Sequence, residues 1–129
     1  TRGSREAAGY DLYADLSAPL VLRPHTSAKI HTGLIMRIPD GYFGAVFARS
    51  GLATKEGLRP ANCVGVVDSD YRGEIMVPIH NDTDTDKTIT HGERMAQMIV
   101  MPYLEVEFEE TDSLDATERN TDGFGSTGK

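Results

Sequence analysis

The chain has one cysteine, Cys63, and no tryptophan. A single thiol excludes an intramolecular disulfide and a cysteine-based zinc site, and it fits a reducing compartment. No apolar run approaches the roughly 18–20 residues that cross a bilayer, so no membrane span is expected. Thr1–Arg5 carries no hydrophobic segment, so no secretory signal is expected there. Basic residues are in deficit: 13 Lys and Arg against 20 Asp and Glu leave a net charge of −7. That excludes a nucleic-acid polymer as partner, because binding a phosphate backbone needs a basic face. A small polyphosphate is not excluded, since local arginines and a metal ion can hold one. The four histidines (His25, His31, His80 and His91) show no tight metal-ligand pairing and read as surface or strand residues.

What remains is a chain of short β-type runs between turn residues, the pattern of a barrel or jelly roll. At 129 residues it can fill one core and no more, so one domain is expected over residues 1–129. Leu20–Leu22 is closed by Pro24. Lys29–Ile38 reads as a longer strand, broken by Gly33 and stopped by the turn signal Pro39-Asp40-Gly41. Tyr42–Ala48, Val64–Val67, Glu74–Ile79 and Met95–Met101 follow, with Asn81–Lys87 as a polar loop. Leu104, Val106 and Phe108 alternate with Glu105, Glu107 and Glu109, which predicts a strand with one buried and one solvated face. One short helix is expected, Gly51–Glu56, with Ser50 at its N-cap and Gly57 ending it.

Several segments combine glycine, charge and small residues in ways a plain β domain does not require. The tail Arg119–Lys129 holds glycines whose backbone N–H groups can close on phosphate oxygens, an arginine fork, and one aromatic, Phe124, between Gly123 and Gly125. A ring beside a phosphate cradle suits a nucleotide, although a glycine-rich terminus taken alone also reads as a disordered tail. Arg49 and Ser50 open a helix, and a helix N-terminus with a neighbouring cation attracts anions; a plain capped helix has the same sequence. Asp11 lies in Ala7–Tyr13 as either a structural acceptor or a metal-shell ligand. Asn62–Gly73 runs through a short apolar arm to Asp68 and Asp70, where a carboxylate could activate water or simply shape a turn. Gln97 interrupts an apolar strand, and a buried amide needs partners.

Taken in order, these segments resemble the trimeric dUTPase family. Its five motifs are matched by Ala8–Tyr13, Ala48–Ala53, Asn62–Gly73, Gly92–Gln97 and Arg119–Gly128, from about residue 7 to the end of the chain. The resemblance implies an all-β, distorted jelly-roll barrel with one short helix, assembling as a homotrimer with active sites at the subunit interfaces. It implies hydrolysis of dUTP to dUMP and pyrophosphate, which limits uracil incorporation into DNA and supplies dUMP for thymidylate synthesis. By the same resemblance Asp68 is the general base for water attacking the α-phosphorus, and Asp11 holds Mg²⁺ through water. Arg49, Ser50, Gly51 and Gln97 grip phosphates; Asn62 begins the hairpin that reads uracil, with Gly65 allowing close approach; Tyr71 packs on the deoxyribose. Residues 118–129 form a mobile arm reaching a neighbouring subunit, in which Arg119 meets the γ-phosphate and Phe124, with Gly125, Ser126 and Thr127, closes over the nucleotide. An intracellular location, cytoplasmic or nuclear, is expected.

The chain departs from the family pattern at three positions. Asn120 and Asp122 stand where glycines are common, and both residue types tolerate left-handed backbone better than most. Ala48 stands where a proline is common before Arg-Ser-Gly. Two alternatives share the fold: a dCTP deaminase, and a non-catalytic dUTPase-like nucleotide-binding regulator. Tyr71 and the Phe-containing arm favour dUTP hydrolysis over the first, and the full set of Asp11, Asp68, Arg49 and Arg119 favours turnover over the second. A plain jelly-roll structural module would leave the tail unexplained.

Overall fold

Among residues 1–123, which a computed structural model describes, the chain forms nine strands and one short helix. In chain order these are β1 (Tyr10–Tyr13), β2 (Leu20–Leu22), β3 (Ser27–His31), β4 (Tyr42–Phe47), α1 (Ser50–Glu56), β5 (Leu58–Pro60), β6 (Gly65–Val67), β7 (Met76–Asn81), β8 (Lys87–Ile89) and β9 (Arg94–Pro102). All pairings are antiparallel. One sheet runs β1-β9-β4-β6, a second β3-β7-β5, and β2 pairs with β8. Side chains alternate across each strand, and most strands bury one face toward the core. On β7, Val77, Ile79 and Asn81 point inward; Leu12, Leu22, Ile30, Val46, Ile89, Met95, Ala96 and Met98 join them in the core from the other strands. This is a mostly β, jelly-roll-like fold with one helix.

The strands around Tyr42–Phe47, Gly65–Val67 and Arg94–Pro102 sit where the sequence pattern places them, within one or two residues. Lys29–Ile38 does not form one strand. Gly33 has φ +68°, and its N–H turns to a carboxylate oxygen of Glu74 at 2.9 Å, so the ladder stops at His31. The helix begins at Ser50, with Arg49 in the N-cap position and extended backbone; Ser50 is therefore not the cap, and no side chain caps this end. Gly57 ends the helix in a left-handed conformation, as its sequence position predicts. Leu104–Glu109 forms no strand. Leu104 and Phe108 are 88% and 95% exposed, because no strand edge of the same chain lies beside them. Strands β1, β5 and β8, each of three or four residues, were too short to stand out in the sequence.

Two polar ties hold the loops to this frame. Asn81 is fully buried, and its amide donates to the carbonyls of Leu22 (3.0 Å) and Thr85 (2.8 Å) while accepting from the N–H and hydroxyl of Thr83. Glu74 straps the β3 exit to β7: one oxygen bonds His31 Nδ1 at 2.8 Å and the other accepts from Gly33 N–H. The hydrogen bond with His31, and then that with Gly33, holds the Glu74 carboxyl below the usual carboxylate range.

Asn81→Ala removes the amide donor to the Leu22 carbonyl and the acceptor of the Thr83 N–H, and is expected to cost about 2–3 kcal/mol. Asn81→Asp, which faces acceptors with acceptors, should cost as much; an unchanged urea midpoint in both would contradict the role given to Asn81. Because the folded Glu74 carboxyl is lowered, its stabilisation is full above the ordinary glutamate range and is lost as pH falls through the lowered value. Urea midpoints below about pH 4 should therefore fall less steeply in Glu74→Gln than in the parent.

Candidate active site

Three neighbouring strands set one polar row. Asp11 on β1 pairs across to Gln97 on β9, and Gln97 pairs across to Phe47 at the end of β4. The Gln97 amide donates to the carbonyl of Ala48 at 2.9 Å, tying β9 to the chain just before the helix. One residue later, Arg49 Nε donates to Asp11 Oδ1 at 2.9 Å. The Asp11 side chain is only 9% exposed, and a carboxylate so enclosed needs a cation beside it. Gly9 makes room for this arrangement, since a Cβ there would collide with the Gln97 side-chain oxygen. Asp11, Arg49, Ser50, Gln97 and Gly9 line a cavity of about 170 Å³. Gly51 is exposed, with open space around its Cα.

A second group gathers around β6. Cys63 takes the left-handed conformation (φ 62°), and Val64 N–H bonds back to the carbonyl of Asn62 at 2.7 Å, which turns the chain tightly into Gly65. Gly65 is buried. A Cβ there would lie 3.2 Å from both the Asn62 side-chain nitrogen and the Val46 Cβ, so a side chain at this position would crowd Asn62 and Val46. Asn62, Gly65, Val66, Met76 and Pro78 enclose a slot of about 70 Å³. It adjoins a cavity of about 220 Å³ that contains Asp68, Tyr71, Lys29 and Met76. Tyr71 is fixed by its hydroxyl donating to the Glu74 carbonyl at 2.9 Å, and it fits there because residue 73 is glycine: any Cβ would strike the phenol ring. Asp68, exposed at the end of β6, also opens onto a third cavity beside Phe43 and Tyr103.

Asp68 of this group lies far from Arg49 within one chain. In the antiparallel register Gly44 faces Val67, which puts Asp68 level with Phe43, whereas Arg49 lies beyond the opposite end of β4. Six residues of extended chain separate the two levels, roughly 20 Å at about 3.3 Å per residue. Arg119 lines neither group's cavity, and its Nε donates to the carbonyl of Asp122 at 2.7 Å. Asn120 takes the left-handed backbone (φ 44°) expected of a glycine substitute, and its side chain and backbone exchange hydrogen bonds with Thr117 at 3.0 Å each. Phe124, Gly125, Ser126 and Thr127 lie outside the described residues. Met76, Lys29 and Arg94 were not singled out in the sequence. The first two read as ordinary strand residues, and Arg94 reaches the site only through an irregularity in β9.

The dUTPase family model matches residues 1–128. A deoxyuridine 5'-triphosphate nucleotidohydrolase of Desulfitobacterium hafniense is 50% identical over 123 residues, covering 95% of this chain and 82% of the relative. Among solved structures, the Staphylococcus bacteriophage 80alpha dUTPase with dUPNHPP superposes with a TM-score of 0.88 at 28% identity, over 100% of this chain and 90% of that one. The dUTPase of Streptococcus mutans gives a TM-score of 0.76 at 31% identity, over 84% of this chain and 88% of that one.

Asp11→Ala strands the Arg49 guanidinium against the Gln97 row. It is expected to cost about 1–2 kcal/mol in urea unfolding, less than a fully buried pair because both arginines near Asp11 keep contact with water. A variant as stable as the parent would show that the pair holds nothing together.

Proposed function

The chain belongs to the dUTPase family and is an enzyme that hydrolyses dUTP; we propose that it releases dUMP and pyrophosphate at sites assembled from more than one copy of itself. The observation that carries this reading is the separation of Asp68 from Arg49 along β4. A general base must come within hydrogen-bond reach of the attacking water, and the phosphate-holding groups must touch the same triphosphate. Side chains roughly 20 Å apart along a strand cannot do both at one phosphorus. A second copy, placing its Asp11–Arg49–Gln97 cavity against the Asp68 cavity of the first, completes the site. The extended segment 103–118, with Leu104, Val106 and Phe108 exposed, supplies an apolar face for a neighbouring copy to cover. We take the assembly to be a homotrimer, the state that the family resemblance implies.

Each residue then has a role that its surroundings suit. The slot between Asn62, Gly65 and Met76 is narrow enough to exclude a bulkier base, and its hairpin backbone can read the uracil edge by donor and acceptor pattern. Tyr71, held flat by Glu74 and Gly73, packs on the sugar and leaves no space for a 2′-hydroxyl. Asp68 faces the open cavity beside it and takes the proton of the attacking water. Arg49 spends its Nε on Asp11, so the other N–H groups of the fork remain for phosphate oxygens. The Ser50 hydroxyl, which caps no helix, is likewise free to donate. Arg119, carried on the arm with Phe124, Gly125, Ser126 and Thr127, closes the site on the triphosphate, which acts chiefly on the rate.

A magnesium ion fits this site only as cargo of the nucleotide. No group of three or more His, Cys, Asp or Glu among the described residues could hold a metal, and Asp11 offers a single carboxylate already bonded by arginine. Such a donor can reach a hydrated Mg²⁺ through water but cannot cage one. When bound with the triphosphate, the ion spreads its negative charge and fixes its shape.

Incubation with dUTP, dCTP, dTTP and UTP in Mg²⁺ should release pyrophosphate from dUTP alone. Asp68→Asn should lower the rate by about 10²–10⁴-fold with binding retained. Gly73→Ala, which displaces Tyr71, should raise turnover of UTP relative to dUTP. Deamination of dCTP, or binding of dUTP without pyrophosphate release, would overturn the catalytic reading.

A further inference from the structure

Asp11 has two oxygens, and a different guanidinium lies beside each. Arg49 Nε holds Oδ1 at 2.9 Å, and Arg94 Nη1 lies 3.7 Å from Oδ2. Arg94 is there because β9 is irregular. Against β1 the register runs Asp11 with Gln97 and Leu12 with Ala96, then jumps to Tyr13 with Arg94, so Met95 is an extra residue. Met95 and Ala96 are consecutive and both buried (1% and 0% exposed), as an extra residue on the bulged strand allows. In a regular strand Arg94 would share the inward face of Ala96. The bulge turns it instead to the outer face, with Asp11 and Gln97, and a bulge that re-aims one side chain beside a site is a recurrent device.

We propose that Arg94 is a positioning residue of the phosphate site: it keeps Asp11 in place through Oδ2 and competes for that oxygen with a hydrated cation. The contacts differ in kind. The Arg49 contact is short and mostly enclosed, and it orients Arg49. The Arg94 contact is longer, and the Arg94 side chain is half exposed, so this is the bond that yields. Arg94 therefore does two opposed things. Its charge attracts the triphosphate, and its claim on Oδ2 weakens the attraction of Asp11 for a divalent cation. This inference rests on the dUTP-binding reading above.

The test is calorimetric binding of the non-hydrolysable analogue α,β-imido-dUTP to the assembled protein, with and without Mg²⁺, for the parent, Arg94→Gln and Arg94→Lys. In Arg94→Gln the metal-free affinity should fall, and the half-saturating Mg²⁺ concentration should fall as well, each by roughly two- to fivefold, the range of a half-exposed ion pair. Arg94→Lys, which keeps the charge, should restore most of the metal-free affinity. A merely structural role would weaken binding at every Mg²⁺ concentration and raise the half-saturating value. That result, or an Arg94→Gln profile identical to the parent, overturns the proposal. No binding by the parent would instead overturn the functional reading on which it rests.

Discussion

Strand β4 has β6 on one flank and β9 on the other, and it sets Asp68, past the end of β6, at the opposite end of the strand from Arg49. Through β6 it positions Asn62, Gly65, Asp68 and Tyr71; through β9 and its own exit it positions Gln97, Ala48 and Arg49. The backbone ladder makes this spacing rigid, because sliding one residue along β4 would turn every core side chain outward. Asp68 and the Asp11–Arg49–Gln97 cavity are thus built on one chain about six strand residues apart, roughly 20 Å. The geometry favours an assembly in which the two halves come from different copies, and it gives the exposed segment after β9 a reason to be apolar on one side.

Within the Asp11–Arg49–Gln97 cavity the ordering of side chains runs from the inside outward. The Gln97 amide fixes the backbone at Ala48, which aims Arg49 at Asp11, and the enclosed Asp11 fixes the direction of the guanidinium. A charged fork held in advance loses little entropy when a phosphate arrives, so such a cradle is suited to binding a charge that is already there. Around Asp68 the arrangement is looser. Asp68 is exposed and bonded to no other side chain among the described residues, as suits a group that must reach water. Its surroundings are fixed instead by Gly65, Gly73 and Tyr71.

The sequence pattern located the long strands, the helix stop at Gly57 and the left-handed turn at Asn120, because each depends on local chemistry. It missed β1, β5 and β8, whose three or four residues make sense only beside their partners. It over-extended the strand past His31, since alternation in Lys29–Ile38 says nothing of Glu74 capturing the Gly33 N–H from a distant element. The alternation at Leu104–Glu109 was legible, but the face it would bury has no partner in the same chain. Most residues of the candidate site were picked out through the ordered motifs. Arg94 was not given a role, because only the bulge at Met95 shows which way it points. Met76 carries no local signal for lining the slot.

The claim that the site spans copies is tested most directly by mixing subunits. Asp68→Asn and Arg49→Ala variants, each inactive alone, are unfolded together, refolded at equal amounts and assayed for dUTP hydrolysis. If the base and the phosphate cradle come from different copies, random assembly should restore about a quarter of the parent activity, since one site in four pairs an intact half with an intact half. Activity no higher than that of the two variants measured separately would mean that both halves act within one chain, and the account would be wrong.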